Sequence, residues 1–176
     1  ILVSNSDSVK IGGSTVADGN TVTNAGSDGI VVRADGGTAD GILIKNNSVN
    51  GTDRTGIYTE DMTNSTIDSN IVQNIGRYAA IYVNGGQNFW ITNNDIDHSD
   101  EIGLLVQNTG GAFNIIDNNK VDFTGEDKKT SDGTNSGDGI RVENAAGLVL
   151  INNKVGLNGG GIGGNGIFVD PSASAY

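Results

Sequence analysis

The sequence predicts an all-β fold, a single right-handed parallel β-helix (solenoid) of about seven stacked coils. Three observations lead to this prediction. Two short motifs alternate along the chain with a period of roughly 23 to 36 residues, as expected of a solenoid. The 28 glycines and the single proline are typical of short strands joined by tight turns. No window keeps the three-and-four apolar spacing that an amphipathic helix requires.

The first motif is a small residue followed by a strand. Its copies are Gly29-Ile30-Val31-Val32, Gly56-Ile57-Tyr58-Thr59, Ala80-Ile81-Tyr82-Val83, Gly103-Leu104-Leu105-Val106, Gly139-Ile140-Arg141-Val142 and Gly166-Ile167-Phe168-Val169. Because alternate side chains of a strand point to opposite faces, the aliphatic residue after the small one is expected to face inward. Stacking of the coils then forms a buried column of Ile30, Ile57, Ile81, Leu104, Ile140 and Ile167.

The second motif is an aliphatic residue, an asparagine three positions later and a β-branched residue two further on. Its copies are Ile44/Asn47/Val49, Ile67/Asn70/Val72, Ile91/Asn94/Ile96, Ile116/Asn119/Val121 and Leu150/Asn153/Val155, with a looser version at Ile11, Asn20 and Val22. The aliphatic residues and the β-branched residues predict two further buried columns, because β-branched side chains pack well on a pleated surface.

The asparagines of the second motif form a column of their own, which we interpret as a scaffold feature. Asparagine tolerates left-handed φ, so each is expected at the bend between two strands. Stacked amides can also hydrogen-bond from coil to coil. This pattern therefore predicts an asparagine ladder that stabilises the turns.

These repeats resemble the right-handed parallel β-helix repeat family, within the pectate-lyase-like superfamily. The stretch from Ile11-Gly12-Gly13-Ser14-Thr15 through Gly19-Asn20-Thr21-Val22 to Ser27-Asp28-Gly29-Ile30 is similar to repeats in large secreted bacterial β-helix proteins, and the resemblance covers residues 1 to 170. It implies the fold directly. It leaves the function open, because the superfamily includes polysaccharide lyases, hydrolases, C5-epimerases, tailspikes, adhesins and non-catalytic surface proteins.

Charge and composition restrict the class of partner. The formal net charge of −11 repels nucleic acid and anionic membranes, so we expect neither nucleic-acid binding nor direct membrane insertion. The chain has no cysteine, which excludes disulfides and thiolate catalysis. It opens on Ile1-Leu2-Val3, a strand pattern, so we interpret residues 1–176 as one β-helix domain and an internal fragment of a longer, extracellular or cell-surface protein.

One outward row of the first sheet is apolar and aromatic. The residues that follow the first column are Val31, Tyr58, Tyr82, Leu105, Arg141 and Phe168, and the same alternation exposes Arg33, Glu60, Asn84, Gln107, Glu143 and Asp170 beside them. An exposed row of this length predicts a contact face for a glycan, a neighbouring domain or another copy. Strand propensity, or cover by another part of the full-length protein, explains the same row without a ligand.

A second outward row, Leu43, Thr66, Trp90, Ile115 and Val149, is also apolar. Trp90 and Phe89 are the candidates for sugar stacking on that side, although Phe89 is also compatible with an inward position. Trp90 therefore joins Tyr58, Tyr82, Leu105, Arg141 and Phe168 as a predicted binding residue.

Catalytic candidates are few. Glu143 and Asp170 share an offset in adjacent coils, which would place them about 5 Å apart, a separation that suits paired carboxylates acting on a glycosidic bond; ordinary surface charge is the alternative. His98, the single histidine, is expected in a turn away from the first sheet.

The family resemblance suggests two comparisons with its enzymes. Its lyases and epimerases need a base and a group that neutralises the substrate carboxylate, roles for which His98, Tyr78, Arg77 and Arg54 are candidates. Asp170-Pro171 matches the Asp-Pro of the alginate C5-epimerase signature. Ser172 and Ala173 replace the histidine and glutamate that follow it there, which argues against epimerase activity.

A long acidic insertion is the candidate cation site. Residues 123–138 contain Asp127, Asp132, Asn135 and Asp138, whose oxygens suit Ca²⁺. A solvated loop is the alternative, since no known calcium-loop spacing is present. We expect no other cofactor.

Two functions remain open. The first is a non-catalytic extracellular module, a rod, adhesin segment or fibre unit that contacts polysaccharide or neighbouring copies and could assemble end to end. The second is a polysaccharide-active enzyme fragment, a lyase, C5-epimerase or tailspike-type hydrolase, with its groove on the Tyr58/Tyr82 face.

Overall fold

The computed structural model describes residues 1–125, 137–156 and 164–170, which form a parallel β-solenoid. Its strands, grouped by successive coils, are β1 (Leu2–Ser4), β2 (Lys10–Gly12) and β3 (Thr21–Thr23); β4 (Ile30–Arg33), β5 (Ala39–Asp40), β6 (Leu43–Lys45) and β7 (Ser48–Thr52); β8 (Ile57–Glu60), β9 (Met62–Asp68) and β10 (Ile71–Ile75); β11 (Ala79–Asn84), β12 (Gln87–Thr92) and β13 (Asp95–Ser99); β14 (Ile102–Gln107), β15 (Asn114–Asp117) and β16 (Lys120–Thr124); β17 (Ile140–Glu143), β18 (Leu148–Ile151) and β19 (Lys154–Gly156); and finally β20 (Ile167–Val169).

The strands stack into three parallel sheets. Sheet A has the order β1-β4-β8-β11-β14-β17-β20, sheet B the order β2-β6-β9-β12-β15-β18 with β5 also pairing with β9, and sheet C the order β3-β7-β10-β13-β16-β19. About six turns are complete, and β20 begins another, so the predicted count of about seven is close. In the described ranges the one helix is a 3-10 turn at Val16–Asp18, and no helix there has the length and apolarity to cross a membrane.

The core consists of the predicted columns. Ile30, Ile57, Ile81, Leu104 and Ile140 pair in register through sheet A and are fully buried. Ile167, which was predicted to belong to the same buried column, pairs with Ile140 but is 48% exposed. The columns of sheets B and C are buried in the same way through the middle coils, and their end members Val22, Leu150 and Val155 are partly buried. A further column, Val32, Thr59, Val83, Val106 and Val142, is also fully buried. Each coil is therefore covered by its neighbours, as in other solenoids.

The small residue of the first motif has a steric cause. A Cβ built on Gly103 would lie 2.3 Å from Val121 Cγ1 and 2.6 Å from the carbonyl oxygen of Gly139. Because real Cβ contacts are never that short, this corner between sheets C and A accepts only a very small residue. The repeated glycine is thus explained by close packing between sheets.

The asparagine ladder lies inside the turn between sheets B and C. Asn20, Asn47, Asn70, Asn94 and Asn119 each donate their backbone N–H and their side-chain amide to Oδ1 of the asparagine in the following coil. The donor-acceptor distances are 2.9–3.0 Å. The expected coil-to-coil amide bonds are therefore present.

The expected left-handed φ, however, is not at the ladder residues. It is at the residue before: Asn46, Ser69, Asn93, Asn118 and Asn152 have φ between 54° and 57°. The physical reason is that each ladder asparagine directs its own N–H along the stack. The left-handed residue that bends the chain from sheet B to sheet C therefore lies one position before the ladder asparagine.

Asp68 carries a partly buried ion pair on the outer side of sheet B. Its carboxylate lies 2.7 Å from Lys45 Nζ and accepts hydrogen bonds from Thr92 and Asn93. Burial alone would raise the pKa of Asp68, but the hydrogen bonds from Lys45, Asn93 and Thr92 outweigh it and leave the pKa below its usual value. Asp68 thus contributes stability that is present above the pKa of the unfolded chain, about 4, and that is lost as the pH falls through the lowered pKa.

We expect Asp68→Asn to lower the free energy of unfolding at pH 7 by about 1 to 2 kcal/mol and to flatten its decline below about pH 5. Chemical denaturation from pH 7 to pH 2 measures both effects. Glu60→Gln is the control, because among the described residues the Glu60 side chain makes no hydrogen bond or ion pair. Parallel pH profiles for Asp68→Asn and the wild type would contradict the assignment.

Candidate functional site

The outer face of sheet A carries the predicted contact row in register. Tyr58 pairs with Tyr82, Tyr82 with Leu105, Leu105 with Arg141, and Arg141 with Phe168. These residues alternate with the buried columns, so their side chains leave the solenoid on its outer side. The sequence therefore placed the row on the correct face.

The middle of this row is buried, which corrects the expectation that it is exposed. Tyr82 is 8% and Leu105 4% exposed, and Val31 is also buried. Tyr82 and Leu105 form a second apolar cluster with Ala79 and Ile102, on which Tyr58 and Tyr78 pack. The cause is lateral cover: the rings of adjacent coils shield one another, which strand alternation does not encode. Tyr58, Arg141 and Phe168 remain partly exposed.

Three tyrosines shape the surface of this cluster, which we call the tyrosine face (Tyr58, Tyr78 and Tyr82). The ring centroids of Tyr58 and Tyr82 are 5.1 Å apart, and those of Tyr78 and Tyr82 are 5.2 Å apart. Tyr78 reaches this position from the corner before β11, where its φ is +70°. The face thus presents two partly exposed rings around a buried one.

Guanidinium groups border the tyrosine face. Arg33 Cζ lies 5.8 Å from the centroid of Tyr58, and Arg54 Cζ lies 6.0 Å from that of Tyr78. Further along the row, Arg141 Cζ lies 4.9 Å from the centroid of Phe168. These distances suit cation–π contacts, so the face joins aromatic surface to hydrogen-bond donors.

A chain of hydrogen bonds runs across the same face. The hydroxyl of Tyr82 donates to Gln107 Oε1 at 2.8 Å, and Gln107 Nε2 donates to Glu143 Oε2 at 2.8 Å. Arg141 Nε donates to Glu143 Oε1 at 2.6 Å, and Arg141 also bonds Asp138 at 3.0 Å. Burial, together with Tyr78, raises the pKa of Tyr82. Its hydroxyl therefore stays protonated as the first donor of the chain.

The candidate carboxylate pair lies at the end of this chain. Val142 pairs with Val169, so Glu143 and Asp170 follow in the same register, as the sequence indicated. Both oxygens of Glu143 already accept hydrogen bonds from Gln107 and Arg141. Its carboxylate is thus fixed by neighbouring side chains, an arrangement that suits a structural role.

A pocket of about 400 Å³ opens beside the tyrosine face, at the corner between sheets C and A. Its lining spans four coils and consists of Gly26, Ser27, Asp53, Arg54, Arg77, Tyr78 and Glu101. The charges of two guanidinium groups and two carboxylates offset one another in this lining, whereas the chain as a whole has a net charge of −11. The pocket can therefore offer both donors and acceptors to a polar ligand next to an aromatic ring.

His98 is placed differently from the expectation. It lies within strand β13, not in a turn, although its φ is +54°. Its ring stacks on Phe123 with centroids 4.9 Å apart, and its Nδ1 lies 3.0 Å from an Asp97 carboxylate oxygen. His98 does not line the pocket that brings Arg54, Arg77 and Tyr78 together.

The second apolar row lies on the outer face of sheet B. Trp90 pairs with Thr66 on one side and Ile115 on the other, and it is 38% exposed. Phe89 points inward and is fully buried. Ile151 in β18 and Phe113 just before β15, neither of which sequence analysis singled out, are also exposed.

Three of the candidate cation ligands, Asp127, Asp132 and Asn135, lie outside the described residues. The fourth, Asp138, is buried, and its carboxylate accepts hydrogen bonds from Asn165 and Arg141. Within the described ranges no group of three or more acidic or histidine side chains is arranged to hold a metal.

Sequence reasoning missed two residues of this surface and the role of a third. Asp53 and Glu101, which line the pocket, were not singled out. Gln107 was correctly placed in the polar outward row, but its link between Tyr82 and Glu143 was not predicted. Asp53 and Glu101 lie in corners of irregular length, where no repeated position marks them.

A family model described as a right handed beta helix region matches residues 1–175. Neither a curated protein nor a solved structure matches the chain significantly.

Proposed function

The chain belongs to the right-handed β-helix family, and on that premise we propose that it is a non-catalytic extracellular module. In this proposal it is a rigid rod that binds polysaccharide through the tyrosine face and the adjoining pocket. The fold itself supports a structural or polysaccharide-related module. The proposal that the ligand is a polysaccharide rests on the tyrosine face.

The proposal is supported by the rigidity of the scaffold. The six complete coils are hydrogen-bonded to one another through three parallel sheets, and the asparagine ladder adds bonds in the turns. Because strands keep a fixed spacing of about 4.8 Å, groups on successive coils form an ordered, repetitive array. A polymer with its own repeat can contact such an array at several points. Because the binding groups lie on rigid strands, binding does not carry the entropic cost of ordering flexible loops of the protein.

The chemistry of the face suits sugars. A sugar ring has apolar C–H faces that pack on aromatic rings, and hydroxyl groups that need hydrogen-bond partners. Tyr58 and Tyr78 supply partly exposed rings, while Arg54 and Arg77 supply donors and Asp53 an acceptor at the pocket. Concave sites with a few placed polar groups beside aromatic surface are typical of small-ligand subsites.

We favour a binding function over an enzymatic one because the carboxylate of Glu143 is already hydrogen-bonded to neighbouring side chains. A carboxylate that acts on a glycosidic bond must approach the substrate, whereas that of Glu143 is held by Arg141 and Gln107. The enzyme alternative predicts that Glu143→Gln abolishes cleavage of a polysaccharide while the fold remains intact. Product release by the purified chain, from acidic or neutral polysaccharides, would replace the binding proposal with the enzymatic one.

The double variant Tyr58→Ala/Tyr78→Ala is expected to lower polysaccharide affinity about tenfold or more, because anchoring aromatic residues dominate such contacts. Affinity electrophoresis in gels containing uronic-acid or neutral polysaccharides, with and without calcium, measures the change. Ile71→Ala on the outer face of sheet C is the control, and Trp90→Ala tests whether sheet B participates. Unchanged mobility of the double variant in a gel that retards the wild type would contradict this site.

A further inference from the structure

The charged groups of the pocket beside the tyrosine face leave no excess of positive charge. Its lining combines the guanidinium groups of Arg54 and Arg77 with the carboxylates of Asp53 and Glu101. A third carboxylate, that of Asp28, lies 3.8 Å from Arg54 Nη1. A cleft that attracts a polyanion is lined predominantly by cationic groups, and this pocket is not.

The arginines on the outer face of sheet A do not alter this balance. Arg33 shares its register position with Glu60 of the next coil. Arg141 makes ion pairs with Asp138 and Glu143, at 3.0 and 2.6 Å. Each positive charge of the row is therefore matched by a carboxylate. Since the chain as a whole has a net charge of −11, its field repels an approaching polyanion.

The hydrogen-bond chain across the tyrosine face has a fixed direction. An ionised carboxylate only accepts hydrogen bonds, so Glu143 requires the amide nitrogen of Gln107, which lies 2.8 Å away. Oε1 of Gln107 then faces Tyr82 and receives its hydroxyl proton, at 2.8 Å. A hydroxyl has one proton, so the oxygen of Tyr82 can only accept from any other group.

Tyr78 extends this chain to the pocket. It hydrogen-bonds Tyr82, and it must be the donor, because the proton of Tyr82 is already donated to Gln107. The oxygen of Tyr78 therefore offers only lone pairs at the pocket, as does the carboxylate of Asp53 in the same lining. A ligand group that meets these acceptors has to carry a hydrogen-bond donor.

Hydroxyl groups satisfy this arrangement, whereas carboxylate and sulfate groups do not. A hydroxyl can donate to Tyr78 or Asp53 and accept from Arg54 or Arg77. An anionic group only accepts, so beside Asp53 it would place acceptor against acceptor and bring two like charges together. Polar groups left without a partner in this way lower affinity.

We propose that the tyrosine face and its pocket recognise an uncharged polysaccharide through its hydroxyl groups and discriminate against polyanions such as polyuronates and sulfated polymers. This inference rests on the polysaccharide-binding function proposed above and names its class of ligand. Stacking on Tyr58 and Tyr78 is common to both classes of polymer. The acceptor groups and the charge balance make the selection.

Matched pairs of polymers test the selection. A soluble glucan, mannan and galactan are each compared with the same polymer after oxidation of its primary hydroxyls to carboxylates, by affinity electrophoresis with a polymer-free gel as reference. Oxidation is expected to lower the affinity at least about tenfold. Added salt is expected to narrow the difference, because it screens the repulsion. Equal or stronger retardation by the oxidised polymers would overturn the inference.

Asp53→Asn isolates the contribution of the pocket, since it removes one negative charge and keeps an acceptor oxygen. It is expected to reduce the preference for neutral over oxidised polymer about threefold. Asp122→Asn, on the outer face of sheet C, makes the same charge change away from the pocket and should leave the preference unchanged. Circular dichroism verifies that both variants are folded. An equal effect of the two variants would mean that the pocket does not select the ligand.

The proposed function and this inference fail in different ways. If no polymer of either class retards the wild type, polysaccharide binding itself is wrong, and the inference is wrong with it. If oxidised polymers bind at least as well as neutral ones and Tyr58→Ala/Tyr78→Ala abolishes that binding, the proposed function stands and only the class of ligand is wrong.

Discussion

Asn94→Ala is expected to lower the free energy of unfolding by about 3 to 5 kcal/mol, because it removes a central rung of the buried ladder. Oδ1 of Asn94 accepts from the backbone and side chain of Asn70, at 2.9 and 3.0 Å. Its Nδ2 donates to Ile67 O and to Asn119 Oδ1. Alanine leaves all of these groups without that partner in a dry turn, where an unsatisfied polar group costs about 1 to 3 kcal/mol.

Asn108→Gly is the matched control for this variant. Asn108 also bonds asparagines of the adjacent coils, Asn84 and Asn144, at 2.9 Å, but on the exposed surface. Glycine suits its φ of +57°, so only the exposed side chain is lost, at a cost of about 0.5 kcal/mol. Urea denaturation followed by circular dichroism compares the two. Equal destabilisation by the two variants would mean that burial of the ladder does not increase its contribution to the free energy of unfolding.

Phe89→Ala is expected to lower the free energy of unfolding by about 3 to 5 kcal/mol, since it leaves a cavity among fully buried residues. Phe89 is a completely buried side chain of the main core cluster. The adjacent residue Trp90 points to the opposite side of the same strand and is 38% exposed. Trp90→Ala should therefore cost only about 1 kcal/mol.

These two variants test which of the adjacent side chains Phe89 and Trp90 faces the core. The measurement is again urea denaturation by circular dichroism, which does not depend on tryptophan fluorescence. A larger loss for Trp90→Ala than for Phe89→Ala would show that β12 faces the other way. In that case the outward rows of sheet B would have to be reassigned.

The asparagine ladder shows how far the sequence could predict the fold. The recurrence of asparagine at one offset indicated both the column and its amide bonds, because coils of a solenoid stack equivalent residues. It did not indicate which residue adopts the left-handed conformation. That choice depends on the direction of the ladder N–H, which is set by hydrogen bonds between coils.

The candidate site was less predictable. Alternation correctly gave the outward direction of Tyr58, Tyr82 and Arg141, but not the burial of Tyr82. That burial comes from Tyr78, which reaches the face from a corner outside the repeat register, and from Leu105 in the next coil. Likewise, only the structure shows that Glu143 is engaged by Gln107 and Arg141.

The sequence by itself determined the solenoid, its three core columns and its ladder, because a residue that recurs at a fixed offset must stack on its equivalents once parallel strands pair. The tertiary structure alone decided which outward side chains are covered, where the pocket opens and which charged groups are already paired. The physical reason is that these properties arise from contacts between neighbouring coils and irregular corners, whose side chains follow no common period.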